Sequence, residues 1–280
     1  NFYYSIYIYF RFKELHKKTY IFKGIDISEY IYEELYSSVL RIPRLTLYEN
    51  ALKKICKNTN IENFYYYLHE YSYGRFISFI LTQYFPGINR IGFQHGPASM
   101  RKLVYFLSKY EVDYSSKDSK KFLPLPHIIY AEDQYSASVY KEGNYKNIQI
   151  MENIPRLAYL EKVKRVNIEK NSVLVACGLH DSNYIFNYMK DEIKNNKHKK
   201  YYFKLHPRSN DRTISKNIIE TDLVNIEISK GNIAKYLTKV EEVVFTYSSV
   251  GQEAYELGIK TRMISLPGKI NESPMFDKFC

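Results

Sequence analysis

Between residues 172 and 268 the sequence alternates short apolar runs with helical stretches, and this alternation constrains the fold more than any other feature. The apolar runs predict buried strands, because each is short and ends at glycine, proline or polar residues. The predicted strands are 172–177, 201–205, 224–228, 242–247 and 262–266. The predicted helices are 183–195, 214–220, 233–239 and 250–257. Strictly alternating elements with short connections predict a parallel sheet covered on both faces, the Rossmann-like arrangement.

The first half of the chain follows the same pattern less regularly. Strands are predicted over 91–94, 127–131 and 148–151, and helices over 28–40, 46–57, 73–84 and 133–141. This predicts a second α/β domain over residues 1–155. Residues 156–171 are charged and lack strand character, so we predict a linker there and a C-terminal domain over 172–280.

Composition excludes several classes of protein. Hydrophobic residues make up 45% of the 280 positions and charged residues 25%, which is typical of globular domains and not of disordered or fibrous chains. The three cysteines, Cys56, Cys177 and Cys280, are far apart and form no Cys-x-x-Cys pair. This spacing predicts a reducing compartment and no structural zinc. The aromatic segment 2–12 is too short for a membrane span and lacks a cleavage site, so we predict a cytoplasmic protein.

The net charge of +11 favours acidic partners, such as nucleic acid, anionic lipid headgroups or phosphorylated substrates. The basic residues are scattered, with only short runs such as 197–200. Scattered charge favours a solvated basic surface over a nucleic-acid groove, so we predict no nucleic-acid partner. A non-catalytic protein that binds nucleic acid or another anionic ligand remains the alternative of a different class.

Two polar dipeptides follow predicted strands of the second half. His206-Pro207 follows one strand, and Ser248-Ser249 follows another and opens a helix. Ligands of open parallel sheets bind outside the carboxyl ends of the strands. A helix start, two hydroxyls and an imidazole there suit a phosphate, and Lys204 adds positive charge. Two purely structural roles remain open: Ser249 with Gln252 as a capping box, and His206 as the partner of a buried carbonyl.

The phrase Lys204-Leu205-His206-Pro207, followed by Thr246-Tyr247-Ser248-Ser249, resembles the HP and SS motifs of bacterial sialyltransferases and related capsule glycosyltransferases. The resemblance covers residues 172–268. It implies the GT-B fold, in which two Rossmann-like domains face an inter-domain cleft, with the acceptor on the N-terminal side and the nucleotide sugar on the C-terminal side. It also implies a CMP-activated donor as co-substrate, no cofactor and no metal. The residues it implies around the nucleotide and its phosphate are Lys204, His206, Pro207, Ser248 and Ser249. Glu253 resembles the acid that contacts the donor ribose in many GT-B enzymes, and an exposed acid favoured by the helix dipole is the alternative.

A second resemblance lies in the first half. Gln94-His95-Gly96, at the end of a predicted strand, looks like the Gln-His-Gly turn of surface-polysaccharide glycosyltransferases. It implies that these three residues face the cleft. A turn histidine without a ligand is the alternative.

The acidic pair followed by glycine that supplies the general base in the sialyltransferase family is not present. The candidates for a base are Glu70, Asp113, Glu132 and Asp133. We favour Glu70, because it precedes the strand that carries Gln94 and His95. A surface carboxylate is the alternative for each.

These expectations describe an inverting, metal-independent glycosyltransferase. The sugar would be a sialic-acid-like nonulosonic acid or Kdo, and the acceptor a glycan or glycolipid of the capsule or lipopolysaccharide. The basic surface suits peripheral association with the cytoplasmic face of the inner membrane. A transferase that uses a UDP-sugar, a GDP-sugar or a CDP-polyol is the alternative within the same class.

Overall fold

The structure is a computed structural model and describes residues 2–67, 69–112, 124–209 and 211–276. By density of internal contacts it divides into two compact units, one of Asn1–Phe93 with Lys109–Ile129 and one of Gln94–Ser108 with Tyr130–Cys280. This division does not coincide with the division into sheets described below. The domain boundaries predicted at 155 and 172 stay a prediction.

The N-terminal segment is helical and contains a short hairpin. In chain order it comprises α1 (Phe2–Leu15), the antiparallel strands β1 (Ile21–Phe22) and β2 (Ile25–Asp26), and α2 (Ser28–Asn58). The prediction of separate helices over 28–40 and 46–57 is wrong, because α2 runs unbroken through Pro43. Proline removes one backbone hydrogen bond, and the Thr46 hydroxyl donates to the Pro43 carbonyl at 2.7 Å. Burial of Leu45 and Leu52 carries the helix past this point.

The next elements form a four-stranded sheet. They are β3 (Asn63–Tyr67), α3 (Ser72–Tyr84), β4 (Asn89–Phe93), a 3₁₀ turn (Leu103–Tyr105), α4 (Lys109–Val112), β5 (Ile128–Ala131), α5 (Gln134–Glu142) and β6 (Ile148–Ile150). The strand order is β3-β4-β5-β6, and β3 pairs with β4 in parallel. The three predicted strands are confirmed as β4, β5 and β6. The sequence did not reveal β3, whose run of tyrosines has no clear alternation.

The C-terminal part contains the five-stranded sheet predicted from the sequence. After a 3₁₀ turn (Ala158–Lys162) come β7 (Ser172–Ala176), α6 (Ser182–Asn195), β8 (Lys200–Lys204), α7 (Asp211–Ile219), β9 (Ile226–Ile228), α8 (Ala234–Leu237), β10 (Glu242–Phe245), α9 (Val250–Glu256) and β11 (Lys260–Met263). The strand order is β11-β10-β7-β8-β9, with every neighbouring pair parallel. The predicted α/β fold class, with Rossmann-like parallel sheets, is confirmed.

Apolar side chains cover both faces of this sheet. Val173 and Val175 pack with residues of α6 on one face, whereas Leu174 and Ala176 pack with residues of α8 and α9 on the other. Successive residues of a strand point to opposite faces, so a continuous apolar run is needed when both faces are buried. Because both faces of the sheet are covered by apolar side chains, polar side chains lie at the carboxyl ends of β7, β8 and β10.

Gly251 allows α9 to lie close against β10. A Cβ at this position would come within 2.4 Å of the Phe245 ring, which is fully buried. We expect Gly251→Ala to lower the free energy of unfolding by about 1–3 kcal/mol, because a close-packed core resists added volume. Chemical denaturation measures this. Gly87→Ala is the control, since no atom lies within 4 Å of its Cβ position, and equal stability of the two variants would contradict the packing.

Candidate functional site

A cavity of about 390 Å³ opens at the carboxyl edge of the five-stranded sheet. Its volume is within the range of small-molecule sites. The residues singled out from the sequence that line it are Lys204, His206, Pro207, Ser248, Ser249 and Glu253. Because β7 separates β8 from β10 in the sheet, segments about forty residues apart in the chain meet here across a single strand.

The His206 ring is oriented by its own turn. Its Nδ1 accepts a hydrogen bond from the backbone N–H of Arg208 at 3.2 Å. In the neutral ring the proton is therefore on Nε2. Burial lowers the pKa of His206, the charges of Arg208 and His180 lower it further, and Asp181 opposes them. At neutral pH His206 is thus an uncharged imidazole with an Nε2–H donor.

The two serines follow β10 and are half-buried. Ser249 is the N-cap residue of α9, but its side chain makes no capping bond; its hydroxyl donates to Glu253 Oε1 at 3.3 Å. The capping box is therefore absent, and Gln252 instead accepts a hydrogen bond from Arg156 at 2.8 Å. The Ser248 hydroxyl makes no side-chain hydrogen bond with the described part of the chain. Helix capping does not account for either hydroxyl.

Lys204 forms part of the cavity wall. Its ammonium group donates to the carbonyl of Gly231 at 2.7 Å, and Gly231 lies in the turn after β9. An ammonium group has three N–H donors, so this bond holds the side chain at the wall and engages one of them. Lys204 contributes positive charge to a cavity that also holds neutral donors.

Glu253 is held by three neighbours. Tyr159 donates to its Oε2 at 2.6 Å, Ser249 donates to its Oε1, and Arg156 Nη1 lies 3.9 Å from Oε1. Burial, reinforced by the bond to Glu253, raises the pKa of Tyr159. Tyr159 lines the cavity, although it lies in the stretch predicted as a linker. One tyrosine among 30 gives no sequence signal of such a role.

Arg156 is a second residue that the sequence did not reveal. Its Nε and Nη2 donate to the two carboxylate oxygens of Glu132 at 2.5 and 2.6 Å. Both oxygens of Glu132, which follows β5, are thus engaged in a bidentate ion pair. The carboxylate of Asp133 accepts the backbone N–H of Ser136 at 2.7 Å and caps α5. Both Glu132 oxygens are therefore occupied by Arg156, whereas Asp133 has one oxygen engaged by the helix start.

In the Gln-His-Gly turn, Gln94 is buried and stabilises the turn, whereas His95 is open to solvent. The Gln94 side chain is buried. Its amide Nε2 donates hydrogen bonds to the Gly96 carbonyl at 2.8 Å and to Ser136 Oγ at 3.1 Å. Its Oε1 accepts a hydrogen bond from the backbone N–H of Glu132. Gln94 therefore fixes the turn through Gly96 and does not face the cavity. His95 does not line the cavity, and its side chain is partly open to solvent. Partial desolvation of the ring lowers the pKa of His95, Glu132 opposes this shift, and the charges of Arg156 and Arg208 reinforce it. Arg208 follows directly after His206-Pro207, so His95 lies within electrostatic reach of that turn.

Glu70, the favoured base, is enclosed within the first of the two units. Only 1% of its surface is exposed, and its Oε2 lies 3.6 Å from Nε2 of the equally buried His69. Burial, with the charge of Arg75, lowers the pKa of His69 to about 3, so this pair is not an ion pair at neutral pH. A carboxylate enclosed in this way is not exposed to an acceptor in this structure, and the assignment of Glu70 as base stays a prediction. Asp113 lies outside the described residues.

A second cavity, of about 520 Å³, lies at the same edge of the sheet. It is lined by segments that follow β7, β10 and β11 and contains none of the predicted site residues. Within the described residues there is no group of three or more His, Cys, Asp or Glu side chains that could hold a metal ion. In the same part of the chain no helix is long and apolar enough to cross a membrane.

Comparison with known proteins gives structural neighbours only. No protein-family model and no curated protein matches the chain. Among solved structures, one neighbour is UDP-GlcNAc 2-epimerase of Methanocaldococcus jannaschii in complex with UDP-GlcNAc and UDP. Its sequence is 11% identical to this chain, and the alignment covers 67% of this chain and 62% of the epimerase, with a TM-score of 0.39. Spinosyn rhamnosyltransferase SpnG is 11% identical, with 80% and 59% covered and a TM-score of 0.44. The chain thus spans less than two thirds of either structure, and likenesses this low do not indicate a shared activity.

Proposed function

We propose that this chain is a glycosyltransferase that takes a sugar from a nucleotide donor and attaches it to a glycan or glycolipid acceptor. The observation that carries the proposal is the presence of His206, Ser248 and Ser249, from separate strands, in one cavity. Neutral N–H and O–H donors that line one cavity suit a phosphate. From the resemblance of the motifs, the donor is a CMP-sugar, and the sugar is a sialic-acid-like nonulosonic acid or Kdo.

The cavity would act on the leaving group. As the bond between the anomeric carbon and the phosphate oxygen breaks, its electron pair passes to the phosphate, and negative charge grows there. His206 Nε2–H and the Ser248 hydroxyl would donate hydrogen bonds to that charge, with Lys204 at the wall. The Ser249 hydroxyl would join them by exchanging its 3.3 Å bond to Glu253 for one to the phosphate. Fixed donors of this kind need no reorganisation during the reaction. The reaction as proposed is metal-independent.

In place of Glu70 we propose His95 as the general base. The acceptor hydroxyl attacks the anomeric carbon from the side opposite the phosphate, and its proton passes to the His95 ring. This single displacement inverts the configuration at that carbon. The lowered pKa of His95 keeps its ring neutral and able to accept the proton at neutral pH. Gln94 acts as a positioning residue, because its amide holds the turn that carries His95.

Donor profiling by calorimetry and transfer assay tests this function. We expect CMP to bind and a CMP-sugar to be turned over, and the double variant Ser248→Ala with Ser249→Ala to weaken both. The chain offers a matched control in the serine pair Ser37 and Ser38 of α2, whose double alanine variant should leave both unchanged.

Two other results would contradict parts of the proposal. Turnover of a UDP-sugar, a GDP-sugar or a CDP-polyol, but never of a CMP-sugar, would exclude the CMP donor and retain the phosphate site. Strongly salt-dependent binding of generic DNA or RNA, without turnover of any activated sugar, would favour the non-catalytic alternative.

A further inference from the structure

The hairpin of β1 and β2 exposes an apolar tip. Ile21, Phe22 and Ile25 are 60%, 59% and 66% exposed, although apolar side chains of this size are commonly buried. The two residues between the strands, Lys23 and Gly24, have φ of +48° and +81°. Both angles are typical of the tight two-residue turn that closes a hairpin. The tip is therefore narrow, and its apolar side chains are crowded into a few positions.

Hydrogen bonds fix the base of this hairpin to the helices on either side. The backbone N–H of Ile27 donates to the Tyr20 carbonyl at 2.9 Å, and the Tyr20 N–H donates to Ser28 Oγ at 2.9 Å. The Tyr32 hydroxyl of α2 donates to the Lys18 carbonyl at 2.5 Å. Its ring and that of His16 stack with centroids 4.1 Å apart. These contacts fix the position of the hairpin on the helices and leave its apolar tip exposed to solvent.

Uncompensated positive charge surrounds the tip. Residues 11–26 contain five basic side chains and two acidic ones. Glu14 is paired with Arg11 at 3.0 Å, and Asp26 accepts the backbone N–H of Ser28 at 2.9 Å. The remaining basic residues, Lys13, Lys17, Lys18 and Lys23, are exposed and form no ion pair with the described part of the chain. An excess of lysines therefore flanks three exposed apolar side chains.

We propose that this hairpin docks on the surface of a bilayer that contains anionic phospholipid. Such a surface offers acyl chains to the tip and negative headgroups to the lysines at the same time, and both contributions are needed for stable peripheral binding. Nucleic acid would satisfy the lysines and leave Phe22 and both isoleucines in water. A second copy of the chain would bring the same positive charge against this face. The inference rests on the hairpin alone and is independent of the proposed transferase activity.

Vesicle flotation with the full chain tests the docking. We expect binding to phosphatidylcholine vesicles that contain phosphatidylglycerol, and much weaker binding to vesicles of phosphatidylcholine alone. The double variant Phe22→Ser with Ile25→Ser should lower partitioning on the order of tenfold. Lys17→Ser with Lys18→Ser should lower it on the order of thirtyfold, because each lysine near the surface adds about fivefold. These side chains are exposed, so melting temperatures of the variants should match that of the parent chain.

Matched substitutions elsewhere separate the hairpin from general surface properties. Val224→Ser removes an apolar side chain that is 92% exposed, and Lys194→Ser with Lys197→Ser removes two exposed lysines; neither should change vesicle binding. Equal losses in hairpin and control variants would overturn the proposal. It would also be overturned if the hairpin variants changed only self-association, measured by sedimentation, or only the binding of DNA.

Discussion

His206→Ala is expected to lower the turnover of a CMP-sugar by about 100- to 1,000-fold, because it removes an N–H donor aimed at the developing phosphate charge. The ring is oriented by the Arg208 N–H on Nδ1, which leaves Nε2–H for the ligand. The measurement is the steady-state rate of donor transfer or hydrolysis. His206→Asn keeps an N–H donor at the end of a shorter side chain and should retain more activity than the alanine variant.

His198→Ala is the control for this experiment. His198 is exposed and lies before β8, away from the cavity-lining residues, so its loss should leave turnover unchanged. Full activity of His206→Ala, with an unchanged melting temperature, would remove His206 from the leaving-group site. The phosphate would then have to be held by other residues.

His95→Gln is expected to lower kcat by on the order of 100- to 10,000-fold with little change in KM for the donor, since a general base acts in the transition state. The pH profile gives a second readout. A base must be neutral, and burial with two arginines lowers the pKa of His95 from 6.5. Activity of the parent enzyme should therefore persist below pH 6.5 and fall as pH drops through the lowered pKa. In the variant, the residual activity should no longer fall at low pH through the pKa of His95.

Met100→Gln is the matched control for His95, because Met100 is exposed on the same segment after β4. It should leave both kcat and the pH profile unchanged. If His95→Gln kept the kcat and the acid limb of the parent enzyme, another group would be the base. The buried position of Glu70 makes that residue a poor substitute.

The central strands of the C-terminal sheet, β7, β8 and β10, could be predicted from the sequence because they are largely buried on both faces and so read as continuous apolar runs. The edge strands β9 and β11 are partly exposed and were predicted from their place in the alternation of strands and helices. The first half carries weaker signals. The tyrosine-rich run of β3 has no clear period of two, since tyrosine occurs on exposed and buried faces alike. Pro43 lies between the helices predicted over 28–40 and 46–57, and burial of Leu45 and Leu52 in the continuous helix outweighed the local preference of proline for a break.

The candidate site divides in the same way. His206-Pro207 and Ser248-Ser249 could be placed at strand ends from the order of elements alone. Arg156 and Tyr159 could not, because they lie in an irregular charged stretch, and their contacts with Glu132 and Glu253 depend on tertiary folding. The burial of Glu70 could not be predicted for the same reason, since the sequence does not show whether a carboxylate beside a strand is enclosed.

A crystal structure of the chain with CMP tests the central claim most directly. We predict the phosphate in the 390 Å³ cavity, with His206 Nε2 and the hydroxyls of Ser248 and Ser249 at hydrogen-bond distance from its oxygens, about 2.5–3.2 Å. A nucleotide bound elsewhere, or one in this cavity whose phosphate points to solvent and touches none of the three side chains, would contradict the account.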